Sequence, residues 1–259
     1  MRTSISTTFN YDIPIEEQLL LIKQAGFTHL SLGMNYAHSR ILEEAGLERL
    51  ADLIAEIGLQ VDTVHGYDLD QEDTLEINEK IAKAAVRLGA PIVVLHCSAF
   101  WFPEEAFDEK KCIVSPQIKA LEKIAEKYHI RFALENVVPG EPTRLCEEMV
   151  RLGNPEYIGF CFDSSHDQID GPNSMDLLNR MKSRLIAVHM SDRIKEFVDH
   201  VVPGEGFIHF EEIIPLLREA GFNSPMLMEV EMTHSKYKDV REFLQKVHAA
   251  AEELSNGIQ

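Results

Sequence analysis

Short apolar runs recur along the chain, and most of them end on a histidine or an acid. VDTVHG reaches His65, IVVLHCS reaches His96, RFALENV reaches Glu135, and IGFCFDSSHD delivers Asp163 and then His166. LIAVHMSD ends its run at His189 and MLMEVE at Glu229. Runs without polar alternation are what parallel strands look like when both faces are covered. Helix-like segments separate them, so the pattern predicts repeated βα units.

In chain order, residues 3–9 read as a first strand, and Pro14 opens a helix, EEQLLLIKQAG, that stops at Gly26. Residues 27–33 give the second strand, 47–58 a helix closed by its glycine, and 60–65 the third strand. Residues 78–88 are helical and Pro91 opens the fourth strand, leading to His96. A loop, AFWFPEEAFDEKK, then carries the one tryptophan. Helix 118–128 precedes strand 131–137, helix 142–152 precedes strand 157–163, and helix 175–181 precedes strand 185–191. Helix 210–220, an eighth strand at 225–231 and a closing helix at 240–254 complete the chain.

The joints KQAGFTHLSLG and REAGFNSPMLMEV are nearly the same text, as a repeated unit requires. Eight strands each followed by a helix predict an α/β fold, one (β/α)8 barrel spanning residues 1–259, with its site at the C-terminal strand ends. An open doubly wound sheet lacks support, because no GxGxxG or Walker pattern follows any strand.

Charge narrows the partners. Acidic residues number 43 against 25 basic ones, for a formal charge of −18. Duplex nucleic acid is bound largely by neutralising phosphates with Lys and Arg, so this balance argues against a nucleic-acid partner. Cys97, Cys112, Cys146 and Cys161 form no CxxC pair, and the N-terminal MRTSISTTFNYDIP lacks the apolar core of a signal peptide. No run is long enough to span a bilayer. A reduced, cytoplasmic setting without membrane contact is the expectation.

In such a barrel His65, His96, Glu135, Asp163, His189 and Glu229 come from different strands and converge on one bowl, with His166 and His200 just beyond strand ends. A single strand-end histidine is more often a hydrogen-bonded structural residue than a ligand. Buried acids are different: left unpaired, each costs several kcal/mol, so a shared cation is the simplest compensation. Three or four N and O ligands suit Zn, and carboxylate-rich sets also suit Mn or Mg, so the donors alone do not choose the metal.

Smaller features have two readings each. Trp101 and Phe102 follow the fourth strand and would wall a sugar ring, cap the barrel or meet another subunit; a homo-oligomer is compatible with such loop aromatics. Arg193 and Lys195 lie just past His189 and would bind a substrate oxygen or anion, or remain solvated loop charge. His38, His209 and His234 read as surface or core residues.

The segments ALENV, FDSSH, AVHMSD, HVVPGEGFIHF and LMEVE resemble, in order and at matching strand ends, the xylose-isomerase-like TIM-barrel superfamily. That superfamily groups sugar isomerases and epimerases of the tagatose-epimerase type with endonuclease IV-like enzymes of the second AP endonuclease family. Gly204-Glu205-Gly206 resembles its GEG turn. The resemblance implies a metal site of Glu135, Asp163, His189 and Glu229. The endonuclease branch implies further ligands at His65, His96, His166 and His200. Asp199 would be another, though it adjoins His200 where that branch places one residue between the two. The second strand, LSLGM, lacks the acid that epimerase-like members often carry.

The favoured expectation is a divalent-metal-dependent isomerase or epimerase of a small sugar, sugar phosphate or polyol. One Mn, Zn, Mg or Co per chain would stabilise an ene-diolate. Glu135 and Glu229 would exchange the substrate proton, His166 would hydrogen-bond a substrate oxygen, and Trp101 and Arg193 would contact the substrate. The alternative is an endonuclease IV-like phosphodiesterase holding up to three Zn and acting on abasic DNA. A dehydratase or binding relative is a third possibility, since fold does not set chemistry.

Overall fold

Why the elements stop where they do is visible at their ends. Helix α1 (Ile15–Ala25) closes on Gly26, whose φ of 105° is left-handed, and the Phe27 amide returns to the Ile22 carbonyl. The later copy of that joint does the same: Gly221 has φ 67°, and the Phe222 amide returns to the Leu217 carbonyl. Both are glycine caps that turn the chain sharply back into a strand, so the repeated text encodes a repeated turn.

The computed structural model describes residues 2–258. Strands β1 (Thr3–Ser6), β2 (His29–Leu32), β3 (Gln60–His65), β4 (Ile92–His96), β5 (Arg131–Glu135), β6 (Ile158–Asp163), β7 (Leu185–His189) and β8 (Met226–Met228) form one sheet in sequential order, with β8 beside β1. All seven ladders are parallel. The barrel is completed by a lone parallel bridge between Met190 and Met228. Around it lie α2 (Tyr36–Ser39), α3 (Glu44–Ile57), α4 (Thr74–Leu88), α5 (Phe107–Tyr128), α6 (Glu141–Leu152), α7 (Ser164–Asp167), α8 (Asp176–Met181), α9 (Phe210–Glu219) and α10 (Val240–Ile258). The molecule is therefore a (β/α)8 TIM barrel.

Several elements differ from the pattern. The first strand ends at Ser6, because the chain enters a 3-10 turn over Thr7–Phe9 whose second amide is accepted by the Ser6 hydroxyl. Helix α5 begins at Phe107, eleven residues ahead of the expected start, and carries Pro116 inside it. Proline removes one helical hydrogen bond, and Pro116 is exposed along with Cys112, so the freed carbonyl can be hydrated. Strands β7 and β8 are shorter than read, because past His189 the chain forms an antiparallel hairpin joining Asp192 to Val201. Among the described residues, no helix is long and apolar enough to cross a membrane.

Outward strand residues such as Leu30, Val64, Phe132 and Phe160 pack with the helices in the main core. A separate apolar set, Ile92, Val94, Ala133, Cys161, Ile186 and Ala187, fills part of the lumen. Two register shifts shape that lumen. Leu30 faces Val61 while Ser31 faces Thr63, leaving Asp62 as an extra residue, and Ile186 is the extra residue opposite β6. A Cβ on Gly159 would meet the Ile186 side chain at 2.5 Å, so the glycine is what admits that isoleucine.

Candidate active site

Parallel strands bring their last residues to one rim, and the rim here is built from acids and imidazoles. Glu135 closes β5 at its centre. Its Oε1 lies 3.0 Å from His189 Nδ1 and 3.5 Å from His166 Nδ1, and its Oε2 lies 3.3 Å from His65 Nε2 and 3.4 Å from His96 Nε2. Glu229, just past β8, places Oε2 2.6 Å from the same His189 Nδ1.

Asp163 closes β6 and also caps the short helix α7. Its Oδ1 accepts the His166 amide at 2.7 Å, an N-cap bond that holds one carboxylate oxygen and leaves the other inward. Asn136 ties the two strand ends together: it donates to the Asp163 carbonyl and accepts from the Asp163 amide, both at 2.9 Å. His166 Nδ1 lies 3.0 Å from the Asn136 carbonyl.

The outcome is a chain of donor groups. Ligand atoms of Glu135, Asp163, His189 and Glu229 all lie within 4.8 Å of one another. So do those of His65, His96 and Glu135, and those of Asp163, His166 and His200. Glu135 and Asp163 are thus shared between neighbouring groups. Three atoms of the central quartet, Glu135 Oε2, Asp163 Oδ2 and His189 Nε2, are buried without a hydrogen-bond partner. Unsatisfied buried polar atoms are uncommon and expensive. Three in one place fit a cation, and the O and N donor set suits a divalent one.

The electrostatics point the same way. Burial favours a neutral Glu135, but the charge on His189 and the close imidazoles of His166, His189 and His65 win, holding it well below the usual range. Glu229 is likewise pulled to about 2 despite burial, chiefly by His189. Burial opposes a charged imidazole at His96, but the side chains of Asp68 and Glu135 push it up to about 10; at His200, Asp199 and Asp163 do so to about 9. A patch that needs protonated histidines to offset its carboxylates is one where a bound cation would displace protons.

Three supporting residues escaped the sequence reading. Asp68, in the loop after β3, sits 2.9 Å from His96 Nδ1 and so directs His96 Nε2 towards Glu135. Asn136 is the clamp described above. Buried Asp192 accepts the amides of Gly204, Gly206 and Ile208 at 2.8, 2.9 and 3.0 Å, which moulds the GEG turn around one carboxylate. A Cβ on Gly206 would collide with the Arg193 carbonyl, so the glycine there is steric. Only Asp192 had an available signal, an acid twelve residues ahead of GEG.

The remaining candidates are placed as follows. Arg193 is buried, donating Nε to the Ser165 carbonyl at 2.8 Å and pairing with Asp199 at 2.7 Å. Asp199 Oδ1 also lies 3.5 Å from His200 Nδ1. Trp101 is 65% exposed, with Phe100 and Phe197 more so, whereas Phe102 is buried in the main core. Lys195 and His209 are exposed, and His38 bonds the Ile13 carbonyl.

A closed parallel barrel with a buried histidine and carboxylate centre at its C-terminal strand ends defines the class. Within it, the chain belongs to the xylose isomerase-like TIM-barrel family, whose model matches residues 19–247. It is 24% identical to the uncharacterized protein y4fM of Sinorhizobium fredii, over 96% of this chain and 91% of that one. It is 23% identical to the L-ribulose-5-phosphate 3-epimerase UlaE of Salmonella paratyphi B, covering 83% of this chain and 81% of the relative. The crystal structure of the IolI protein with a bound zinc atom shares the fold with a TM-score of 0.79, at 18% identity over 98% of both chains.

Proposed function

We propose that this protein is a divalent-metal-dependent epimerase or isomerase of a small sugar, sugar phosphate or polyol. The observation that carries this reading is the convergence of the unpartnered Glu135 Oε2, Asp163 Oδ2 and His189 Nε2 in a buried pocket with Glu229. The similarity to a pentulose-phosphate epimerase and the zinc in the IolI structure support it. In this reading Glu135, Asp163, His189 and Glu229 hold one Mn, Zn, Mg or Co. When bound, such a cation polarises a carbonyl and its neighbouring hydroxyl, easing loss of the proton between them.

The chain's own groups then divide the remaining tasks. Glu135 and Glu229 exchange the proton at the substrate carbon, one on each side: one takes the proton as base while the other, itself protonated from solvent, returns one as acid, and both rest in the charged form. His166, only partly buried, hydrogen-bonds a substrate oxygen. Trp101 supplies an apolar wall at the mouth. Arg193 acts from behind, holding the hairpin through Ser165 and Asp199. The test is solvent deuterium exchange at the substrate carbon. Loss of exchange in Glu135→Gln is expected, and exchange at the normal rate would sink the assignment.

One specific observation favours a second reading, a three-Zn phosphodiesterase acting on abasic DNA. The flanking groups, His65 with His96 and His166 with His200, share Glu135 and Asp163 with the quartet, as bridged metals would require. The charge of −18 opposes it. Elemental analysis separates the readings: about one metal per chain supports the epimerase, about three Zn the phosphodiesterase.

A further inference from the structure

A cavity of about 360 Å³ opens at the other end of the barrel, where the strands begin. Residues of β2, β3, β4, β7 and β8 line it together with Ala51, Ile54 and Ala55 of α3, so it sits at the bottom of the barrel. Its volume lies in the range of small-molecule sites. Most of the wall is apolar, with Ile54, Leu59, Ile92, Ile186 and Leu227.

One flank is polar and continuous. Asp62, the bulged residue of β3, is buried: Oδ1 accepts from Ser4 Oγ at 3.0 Å and the Thr63 amide at 2.8 Å, while Oδ2 takes no hydrogen bond from the described residues. His29 pairs in register with that same Ser4, and its Nε2 is buried without a partner. Arg2, just ahead of β1, lines the same cavity. The Arg2 guanidinium is exposed, and its one recorded hydrogen bond is a 3.3 Å contact with the Asn223 carbonyl. A cation and an acid with a free oxygen thus both line an otherwise largely apolar chamber.

We propose that this cavity binds an apolar α-amino acid of about leucine's size, its ammonium on Asp62, its carboxylate on Arg2 and its side chain against Ile54, Leu59 and Ile92. An ammonium supplies the donor that Asp62 Oδ2 lacks, and a carboxylate matches the guanidinium fork. A simple amine would leave Arg2 beside a like charge, and a simple acid would set a second carboxylate against Asp62. Only a zwitterionic head answers both groups. Nothing in this inference depends on the reaction at the opposite rim.

Isothermal titration of the whole protein with L-leucine, isoamylamine and isocaproate tests it. Leucine is expected to bind at one site per chain, with each singly charged analogue at least about tenfold weaker. Arg2→Ala, at an exposed side chain, should weaken leucine and tighten isoamylamine by removing the like charge beside it; Asp62→Asn should weaken leucine and isoamylamine together. The proposal is overturned by the absence of leucine binding at about 10 mM, by isoamylamine binding as tightly as leucine, or by leucine affinity that neither substitution alters.

Discussion

Two acids in the same lumen, Glu135 at the top and Asp62 at the bottom, are both fully buried and are driven in opposite directions. Burial raises the Asp62 carboxyl to about 7, and two neutral hydrogen bonds do not offset it. At Glu135 the same burial is outweighed by His189, His166 and His65, and the acid stays charged. Depth therefore does not decide the charge of a buried acid; its neighbours do. The upper acid sits among competing donors and suits a cation shared by several groups. The lower one has a single open oxygen and suits one donor.

The comparison can be broken at either end. The largest effect is expected at the top: Glu135→Gln should lower solvent-proton exchange and turnover by about 10³-fold or more, because under the proposed function it removes both a proton carrier and a metal donor. Next comes Asn136→Ala. Without the clamp, Asp163 is less firmly aimed, and the metal dissociation constant, read by competition with a chelator, should rise by roughly 10- to 100-fold. Asp68→Asn sharpens the picture. It should leave the quartet's affinity unchanged and lower only the occupancy of a group built on His65 and His96, so an unchanged metal count in a one-metal protein is the expected result.

The bottom gives a smaller effect with a definite sign. The Asp62 pKa is raised in the fold, so its contribution is fully present below pH ~4 and is lost as pH climbs towards about 7. Asp62→Asn should remove that loss, narrowing the difference in unfolding free energy between pH 5 and pH 8 by about 2 kcal/mol in urea titrations. An unchanged pH profile would mean that Asp62 is charged throughout. The smallest expected loss of stability is that of Gly206→Ala, which forces the Arg193 carbonyl away and should destabilise by about 1–2 kcal/mol without altering metal content.

Much of the upper end was legible because strand ends are where an apolar run breaks onto a polar residue. His65, His96, Glu135, Asp163, His189 and Glu229 each mark such a break, and all meet in the fold. Residues that act on them were harder to see. Asp68 and Asn136 are unremarkable letters in loops, and their roles arise only from contacts across 28 and 27 positions. Asp62 was hidden for another reason. Strand periodicity says nothing of an extra residue, and without the register shift Asp62 would not be the unmatched residue of β3. Arg193 shows the reverse: proximity to His189 suggested substrate contact, yet the chain folds its guanidinium back onto Ser165 and Asp199. The early start of α5 was not legible either: the helix runs through Pro116, which an exposed face tolerates where a buried one would not.

The join between β7 and β8 is the barrel's thinnest seam, held by the Met190 amide on the Leu227 carbonyl at 2.9 Å and the Glu229 amide on the Met190 carbonyl at 3.1 Å. His189 and Glu229 stand on either side of it. A cation gripped by both would act as a rivet across the seam, so loading the site would close the staves of the barrel as well as arm its chemistry. Amide hydrogens of Met190 and Glu229 would then exchange with solvent on the clock of metal release, making the seam itself a gauge of occupancy.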